Sequence, residues 1–312
     1  MEISRRAALT KIATGTAAVV ATGVAGSVAL SGVASADEMK QAPANAVSML
    51  YDTTRCVGCK SCVAACAQEN KMERDKRDPL YLAPVDLNSF SKNIIKLYKP
   101  SETGVYSYVK AQCMHCVDPA CVAGCTFHGL SKDAKTGVVT WTSSLCIGCR
   151  YCEISCPYGV PKFQWEGYNP KIVKCEFCKP RLEAGKDPAC TSVCPTHAVI
   201  FGKRDQLLAE AKKRIAEHPD KYFENRVFGE QEGGGTQVLY LSHVPFEKIG
   251  LPNIGTESIP SKYLKWQKRL YQYLAVPVVL YASIVGVVRG NFKHHQEHMK
   301  REEEKTGLRA QL

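Results

Sequence analysis

The stretch "CIGCRYCEISCP", residues 146–157, places cysteines at steps of three, three and four. Three thiolates at steps of three in a tight loop surround one small centre. The fourth, past the loop, points away from it. Gly148 permits the turn, and the backbone N–H groups of such a loop point inward, where they favour negative charge. The spacing recurs at Cys56, Cys59, Cys62 and Cys66 ("CVGCKSCVAAC"), with Gly58 standing where Gly148 does.

Two further groups stretch one gap of this pattern. They are Cys113, Cys116, Cys121, Cys125 ("CMHCVDPACVAGC") and Cys175, Cys178, Cys190, Cys194. Both end in "DPAC" plus three residues and a cysteine (118–125 and 187–194), so the chain carries an internal duplication in the order run, stretched, run, stretched. All sixteen cysteines of the 312 residues fall into these groups. C-x2-C-x2-C-x3-C is the run of bacterial ferredoxins, in which the fourth cysteine serves the other cluster of a pair. Zinc competes, but it takes four ligands, usually as two C-x2-C pairs, and has no use for a third cysteine three residues on. Disulfides compete too, although cysteines this close in one loop bridge poorly. The reading adopted is iron–sulfur.

Intervals give the pairing. Twenty residues separate Cys125 from Cys146, and "KTGVVTW" (135–141) supplies a turn and a strand between them. The second and third groups therefore form one two-cluster unit, and the first and fourth pair around it. "YDTTRC" (51–56) and "WTSSLC" (141–146) share a pattern that predicts a strand leading into each run. Pro157 and Pro195 follow their cysteines as ferredoxin patterns have it, whereas Ala67 and Thr126 do not. The expected fold class is α+β: two nested bacterial-ferredoxin-like two-cluster units plus one C-terminal transmembrane helix.

Outward from the cysteines, "SRRAALTK" (4–11) precedes an uncharged run from Ile12 to Ala36 that ends in "ASA". This reads as a twin-arginine export signal, residues 1–36, cleaved before Asp37. An ordinary secretory signal is the alternative. Free thiols sent to an oxidising compartment would become disulfides. Thiols that bind clusters in the cytoplasm need export of the folded protein, so signal and cysteines explain each other.

At the other end, "LYQYLAVPVVLYASIVGVV" (270–288) has no charge and lies between Arg269 and Arg289. Nineteen residues at about 1.5 Å each cross a hydrocarbon core, Tyr271 and Tyr273 suit an interfacial belt, and Pro277 is tolerated in spanning helices. The expected organisation is 1–36 signal, 37–262 four-cluster domain, 263–290 transmembrane anchor and 291–312 cytoplasmic tail. Basic residues flank the apolar run on both sides, so export of the body decides the orientation, body outside and tail inside.

The remaining features are structural. "DQLLAEAKKRIAEHP" (205–219) sets Leu207, Leu208, Ala211 and Ile215 on one face and predicts an amphipathic helix stopped at Pro219. "EGGGTQVLYLSHVP" (232–245) lacks the Gly-Lys-Ser/Thr of a phosphate loop and predicts a glycine turn and a strand. His115 is expected to pack or hydrogen-bond, His128 and His197 to be turn residues, and His294, His295 and His298 to lie on a solvated tail. The formal charge of +11 is spread along the chain with no nucleic-acid motif. Clusters at about −2 each would offset most of it. No catalytic triad, carboxylate pair or nucleotide loop stands out.

On "MLYDTTRCVGC", "QCMHCVDPAC", "CRYC", "CPYGVPK", "AVIFGKR" and "EGGGTQVLYLSHVP" the chain resembles the four-cluster electron-transfer subunits of membrane-bound oxidoreductases. Within them it is most similar to the iron–sulfur subunit of periplasmic nickel–iron hydrogenase of the hydrogenase-2 type. The resemblance implies four [4Fe-4S] clusters: one on Cys56, Cys59, Cys62 and Cys194, one on Cys113, Cys116, Cys121 and Cys156, one on Cys146, Cys149, Cys152 and Cys125, and one on Cys175, Cys178, Cys190 and Cys66. It implies a relay, not catalytic alone, between hydrogenase large and small subunits and an integral membrane quinone-interacting subunit, on the periplasmic side of the inner membrane. The same relay attached to a molybdenum enzyme such as formate dehydrogenase is the alternative; a structural zinc or disulfide protein is a third reading of a different class.

Overall fold

Both cysteine runs are entered by a strand. In the computed structural model, which describes residues 41–72, 83–100, 104–165 and 171–306, β1 (Val47–Asp52) leads to the first run and helix α1 (Ser61–Glu69). A hairpin of β2 (Asn93–Tyr98) and β3 (Ser107–Gln112) delivers the second group, which carries α2 (Ala120–Ala123). The hairpin of β4 (Leu130–Lys132) and β5 (Val139–Trp141) enters the third group and α3 (Tyr151–Ser155). Hairpin β6 (Lys162–Phe163) and β7 (Ile172–Val173) enters the fourth, with α4 (Lys179–Glu183) and α5 (Ala189–Ser192). Then come β8 (Val199–Lys203), α6 (Arg204–Glu217), β9 (Val238–Leu241) and α7 (Ile259–Thr306). The mixed α+β architecture is the one the sequence predicts. The signal read over residues 1–36 lies outside the described residues.

The duplication is visible in the strand registers. In the β4–β5 hairpin Leu130 pairs with Trp141; in the antiparallel β8–β1 pair Val199 faces Tyr51. Each pair joins the residue five past a stretched group's last cysteine to the residue five before a run's first. The inner pair is a local hairpin. The outer pair closes the chain on itself across about 150 residues, with β9 added parallel to β1 to complete the sheet order β8-β1-β9. α2 packs on α3, and α1 packs on α5.

Packing fixes these pieces. α6 buries Leu207, Ala211 and Ile215 against Leu50, Leu239 and Leu241 of the sheet, as its periodicity predicts. Each large side chain so buried contributes roughly 1.5–3 kcal/mol. At the end of β1 the Asp52 carboxylate is fully buried; it accepts the Thr54 N–H (3.0 Å) and hydroxyl (2.6 Å), the Arg214 guanidinium (3.3 Å) and the Tyr222 hydroxyl (3.1 Å). This ties α6 to the strand that aims the first loop. Removing one side of such a buried pair costs about 3–5 kcal/mol.

The chain divides into a body, Glu38–Lys262, that holds every cysteine, and a second unit that includes Tyr263–Leu312. α7 runs unbroken through Pro277 and on past Gly290 to Thr306. Its stretch Val276–Glu302, mean hydropathy 1.2, is the one among the described residues long and apolar enough to cross a membrane, by length and composition. Val276, Val278, Leu280, Tyr281 and Ile284 are exposed along it.

Candidate metal centre

Two left-handed residues shape each run. Gly58 (φ 69°) and Lys60 (φ 56°) in the first are matched by Gly148 (φ 73°) and Arg150 (φ 65°) in the third. In the stretched groups His115 (φ 46°) and Phe177 (φ 52°) hold corresponding places, one residue before the second cysteine. Left-handed backbone at non-glycine residues costs of order 1 kcal/mol or more each and persists only where its surroundings enforce it. Here it rolls the chain round the sulfurs. The Gly58 N–H points at Cys56 Sγ (3.4 Å), and the Leu130 N–H points at Cys125 Sγ (3.4 Å).

The sixteen cysteines are all free thiols and gather in four quartets. Cys56, Cys59, Cys62 and Cys194 line one recess. Cys125, Cys146, Cys149 and Cys152 line another. Cys116 lies within electrostatic reach of Cys113, Cys121 and Cys156, and Cys66 within reach of Cys175, Cys178 and Cys190. In both recesses three cysteines of a run meet the last cysteine of a stretched group. Among the described residues no three His, Cys, Asp or Glu side chains converge tightly enough to hold a single metal ion. In the Cys56 and Cys146 quartets, four sulfurs line a recess and one backbone N–H points at a sulfur, a donor set that suits a thiolate-held cluster.

Burial pushes the Cys62 and Cys121 thiols up to about 12, and those of Cys113, Cys152 and Cys190 up to about 11. Such thiols ionise at neutral pH only against a strongly cationic partner, so binding one releases their protons.

Neighbouring quartets lie within electrostatic reach of one another: Cys62 of Cys190, Cys113 of Cys175, and Cys121 of Cys152. The order is therefore the Cys56, Cys66, Cys113 and Cys146 quartets. Cys59 and Cys149, in the two end quartets, are the exposed cysteines. At the middle junction the rings of His115 and Phe177 stack, 3.9 Å apart and within 10° of parallel. His115 Nδ1 accepts the Val139 N–H (3.0 Å), which puts the ring proton on Nε2. Burial, then the Lys174 and Lys132 ammonium groups, hold this imidazole well below its ordinary pKa. It is a neutral packing and hydrogen-bonding residue, as expected. His128 and His197 are left-handed turn residues (φ 54° and 50°), and His294, His295 and His298 are exposed on α7.

Three features escape the sequence reading. Lys110 and Lys174 are buried beside the quartets, about 1 and 2% exposed. Lys174 Nζ donates to the carbonyls of Val139 and Cys175 (2.9 Å to the latter). Glu176, between two cysteines, accepts the Trp141 N–H (2.9 Å) and pairs with Lys92 (3.0 Å), pinning β5 to the fourth group. A signal exists for the lysines: "VKAQC" and "IVKC" set one just ahead of each stretched group.

Comparison with known proteins agrees with this geometry. Residues 105–204, which hold twelve of the cysteines, match the family described as a 4Fe-4S dicluster domain. The chain is 39% identical to the hydrogenase-2 operon protein HybA of Escherichia coli O157:H7, over 80% of this chain and 86% of that protein. It is 31% identical to the formate dehydrogenase-O iron–sulfur subunit of Escherichia coli K12, over 83 and 90%. To the iron–sulfur subunit of that strain's nitrate-inducible formate dehydrogenase it is 34% identical, over 63 and 68%. Gathered thiols, dicluster match and near full-length similarity lead to one assignment: the chain belongs to the hydrogenase-2 iron–sulfur subunit family, electron-transfer subunits of oxidoreductase complexes that are not catalytic alone.

Proposed function

We propose that the four quartets each hold one [4Fe-4S] cluster, and that the chain relays electrons between a separate nickel–iron hydrogenase and a quinone-reactive membrane subunit. The ligand sets are Cys56, Cys59, Cys62 and Cys194; Cys175, Cys178, Cys190 and Cys66; Cys113, Cys116, Cys121 and Cys156; and Cys146, Cys149, Cys152 and Cys125. A bound cluster takes up and releases one electron at a time. The observation that carries the reading is the succession of neighbouring quartets, with an exposed cysteine in the first and in the last, Cys59 and Cys149. The two inner quartets hold no exposed cysteine, and Cys66, Cys113, Cys121, Cys175 and Cys190 in them are buried. A catalyst needs a substrate pocket with acid, base or nucleophile; a relay needs closely spaced carriers and two accessible ends. The body works on the periplasmic face of the inner membrane, exported folded by the twin-arginine signal and held by the C-terminal helix. Similarity to the hydrogenase-2 protein supports the hydrogenase as partner.

Similarity over 90% of a formate dehydrogenase subunit supports a second reading, the same relay serving a molybdenum enzyme. Cys152→Ser separates these. In membranes where the complex assembles, hydrogen-linked quinone reduction is expected to fall at least tenfold, while hydrogen oxidation with a dye that takes electrons directly from the catalytic subunit survives. Equal loss of both activities in an assembled complex contradicts the relay. Loss of formate-linked, but not hydrogen-linked, quinone reduction transfers the assignment to the second reading.

A further inference from the structure

We propose that the Lys110 ammonium is a fixed positive charge shared by the clusters of the Cys56 and Cys66 quartets, and that it raises the reduction potential of both. The inference rests on cluster binding by these quartets. Side chains alternate along β3, so Tyr108, Lys110 and Gln112 share a face. That face meets the cysteine loops. A Cβ added to Gly58 would lie 2.5 Å from the Tyr108 ring, and Ile95, paired with Lys110 across the β2–β3 ladder, lines the recess of the Cys56 quartet. Lys110 is thereby carried beside the Cys56 quartet, with Cys62, Cys190 and Cys175 within its electrostatic reach.

Its surroundings lack the usual compensation. Among the described residues no carboxylate lies within ion-pair distance of Nζ; the ionisable groups within its electrostatic reach are the Cys190, Cys62 and Cys175 thiols and the Tyr240 hydroxyl. An ammonium carries three donors. One goes to Gln112 Oε1, whose Nε2 is in turn fixed on Met49 Sδ (3.4 Å). Lys174 differs, because it donates to two backbone carbonyls. A buried charge without a partner is strongly disfavoured. Two thiolate-ligated clusters, one on each side, supply the missing counter-charge. Adding an electron makes a cluster more negative, and a nearby cation stabilises that reduced form over the oxidised one.

The test is a potentiometric titration followed by electron paramagnetic resonance on the purified holoprotein, with iron and sulfide content measured alongside. Lys110→Met removes the charge and keeps the stem; Lys110→Arg keeps the charge. Gln112→Glu sets a carboxylate on Nζ and cancels its field without touching the lysine. In Lys110→Met and Gln112→Glu, two of the cluster signals are expected to shift to lower potential, by at least tenfold in the ratio of oxidised to reduced form at fixed potential, which is 59 mV for one electron. The other two signals stay, and Lys110→Arg leaves all four in place. The proposal is overturned if no signal shifts, if all four shift alike, or if Arg shifts them as much as Met. Should Lys110→Met lose iron, Gln112→Glu alone decides by the same criteria. Absence of iron from the unaltered protein would instead refute cluster binding itself, a separate outcome read from the metal content.

Discussion

Gly58 shows how one residue sets a loop. Its φ of 69° lies where side chains strain the backbone, and its missing Cβ makes room for the Tyr108 ring, 2.5 Å from where that atom would stand. Gly58→Ala therefore meets two penalties: a left-handed alanine, roughly 1–2 kcal/mol, and a clash with an aromatic ring held by the β2–β3 hairpin. The variant is expected to retain less iron than the unaltered protein, read by metal analysis after anaerobic purification. Gly58→Ala with Tyr108→Leu should recover most of that loss, because only the backbone strain remains. If the double variant binds no more iron than the single one, the ring is not the obstacle. The cysteines and Gly58 are legible in sequence because their chemistry is local: spacing alone brings three sulfurs round one loop. Lys110 is not. A lysine in a strand reads as a solvated residue, and the Cys62 and Cys190 thiols within its electrostatic reach lie far away along the chain. His115 is half legible, since its place in "CMHC" argues for packing but not for its Phe177 partner.

Elements with a long period or a strong turn are readable from sequence, and those formed by tertiary closure are not. α6 follows its apolar stripe, and β9 follows the glycine turn. The two-residue strands β6 and β7 carry no periodic signal; they exist because the third and fourth groups bring their flanks together. Pairing of β8 with β1 is likewise invisible locally, though the duplicated register makes it intelligible afterwards. The β4–β5 hairpin is the local case. Asp133 Oδ1 accepts the N–H groups of Lys135 (3.0 Å) and Thr136 (2.6 Å) and the Thr136 hydroxyl (2.8 Å), an Asx-type turn that Gly137 completes with φ 73°. The Thr136 backbone and side-chain hydrogen bonds hold the Asp133 carboxyl below its ordinary 3.8. Because the folded value is depressed, this turn's contribution is present above pH 3.8 and is lost as pH falls through the lowered value. Asp133→Ala at neutral pH removes the same bonds. Amide hydrogen exchange at Asp133 and Thr142, whose N–H groups bond to Val138 and Gly129 across the hairpin, should quicken severalfold. Unchanged exchange there would mean that Glu176, which holds the Trp141 N–H, suffices to keep the hairpin closed.

At the scale of the whole molecule the cysteines and α7 divide the work. Every quartet lies within Glu38–Lys262, and α7 continues beyond it as a separate unit with exposed apolar side chains. Large apolar side chains left in water along a helix need another medium or another protein. The stretch Val276–Glu302 is long enough for a bilayer, and the basic residues Arg289, Lys293, Lys300 and Arg301 in its C-terminal half suit a phosphate surface. Length and the absence of charge over residues 270–288 make this candidate span legible in sequence. The unbroken course of α7 to Thr306 is not, because a polar tail folds as helix or coil according to its surroundings. If anchoring and cluster binding are independent, they separate cleanly. Ending the chain at Lys268 removes the apolar stretch and leaves all sixteen cysteines, together with the sheet and α6 that position them. The shortened protein, expressed without partner subunits, is expected in the soluble fraction, brown, with the same iron per chain as the full-length protein extracted in detergent. Full-length protein should stay with the membrane through an alkaline wash, which strips proteins held by charge alone. A shortened protein that remained on washed membranes would place the anchor elsewhere. One that became soluble but lost its iron would show that α7, or the bilayer around it, supports the folding of the body.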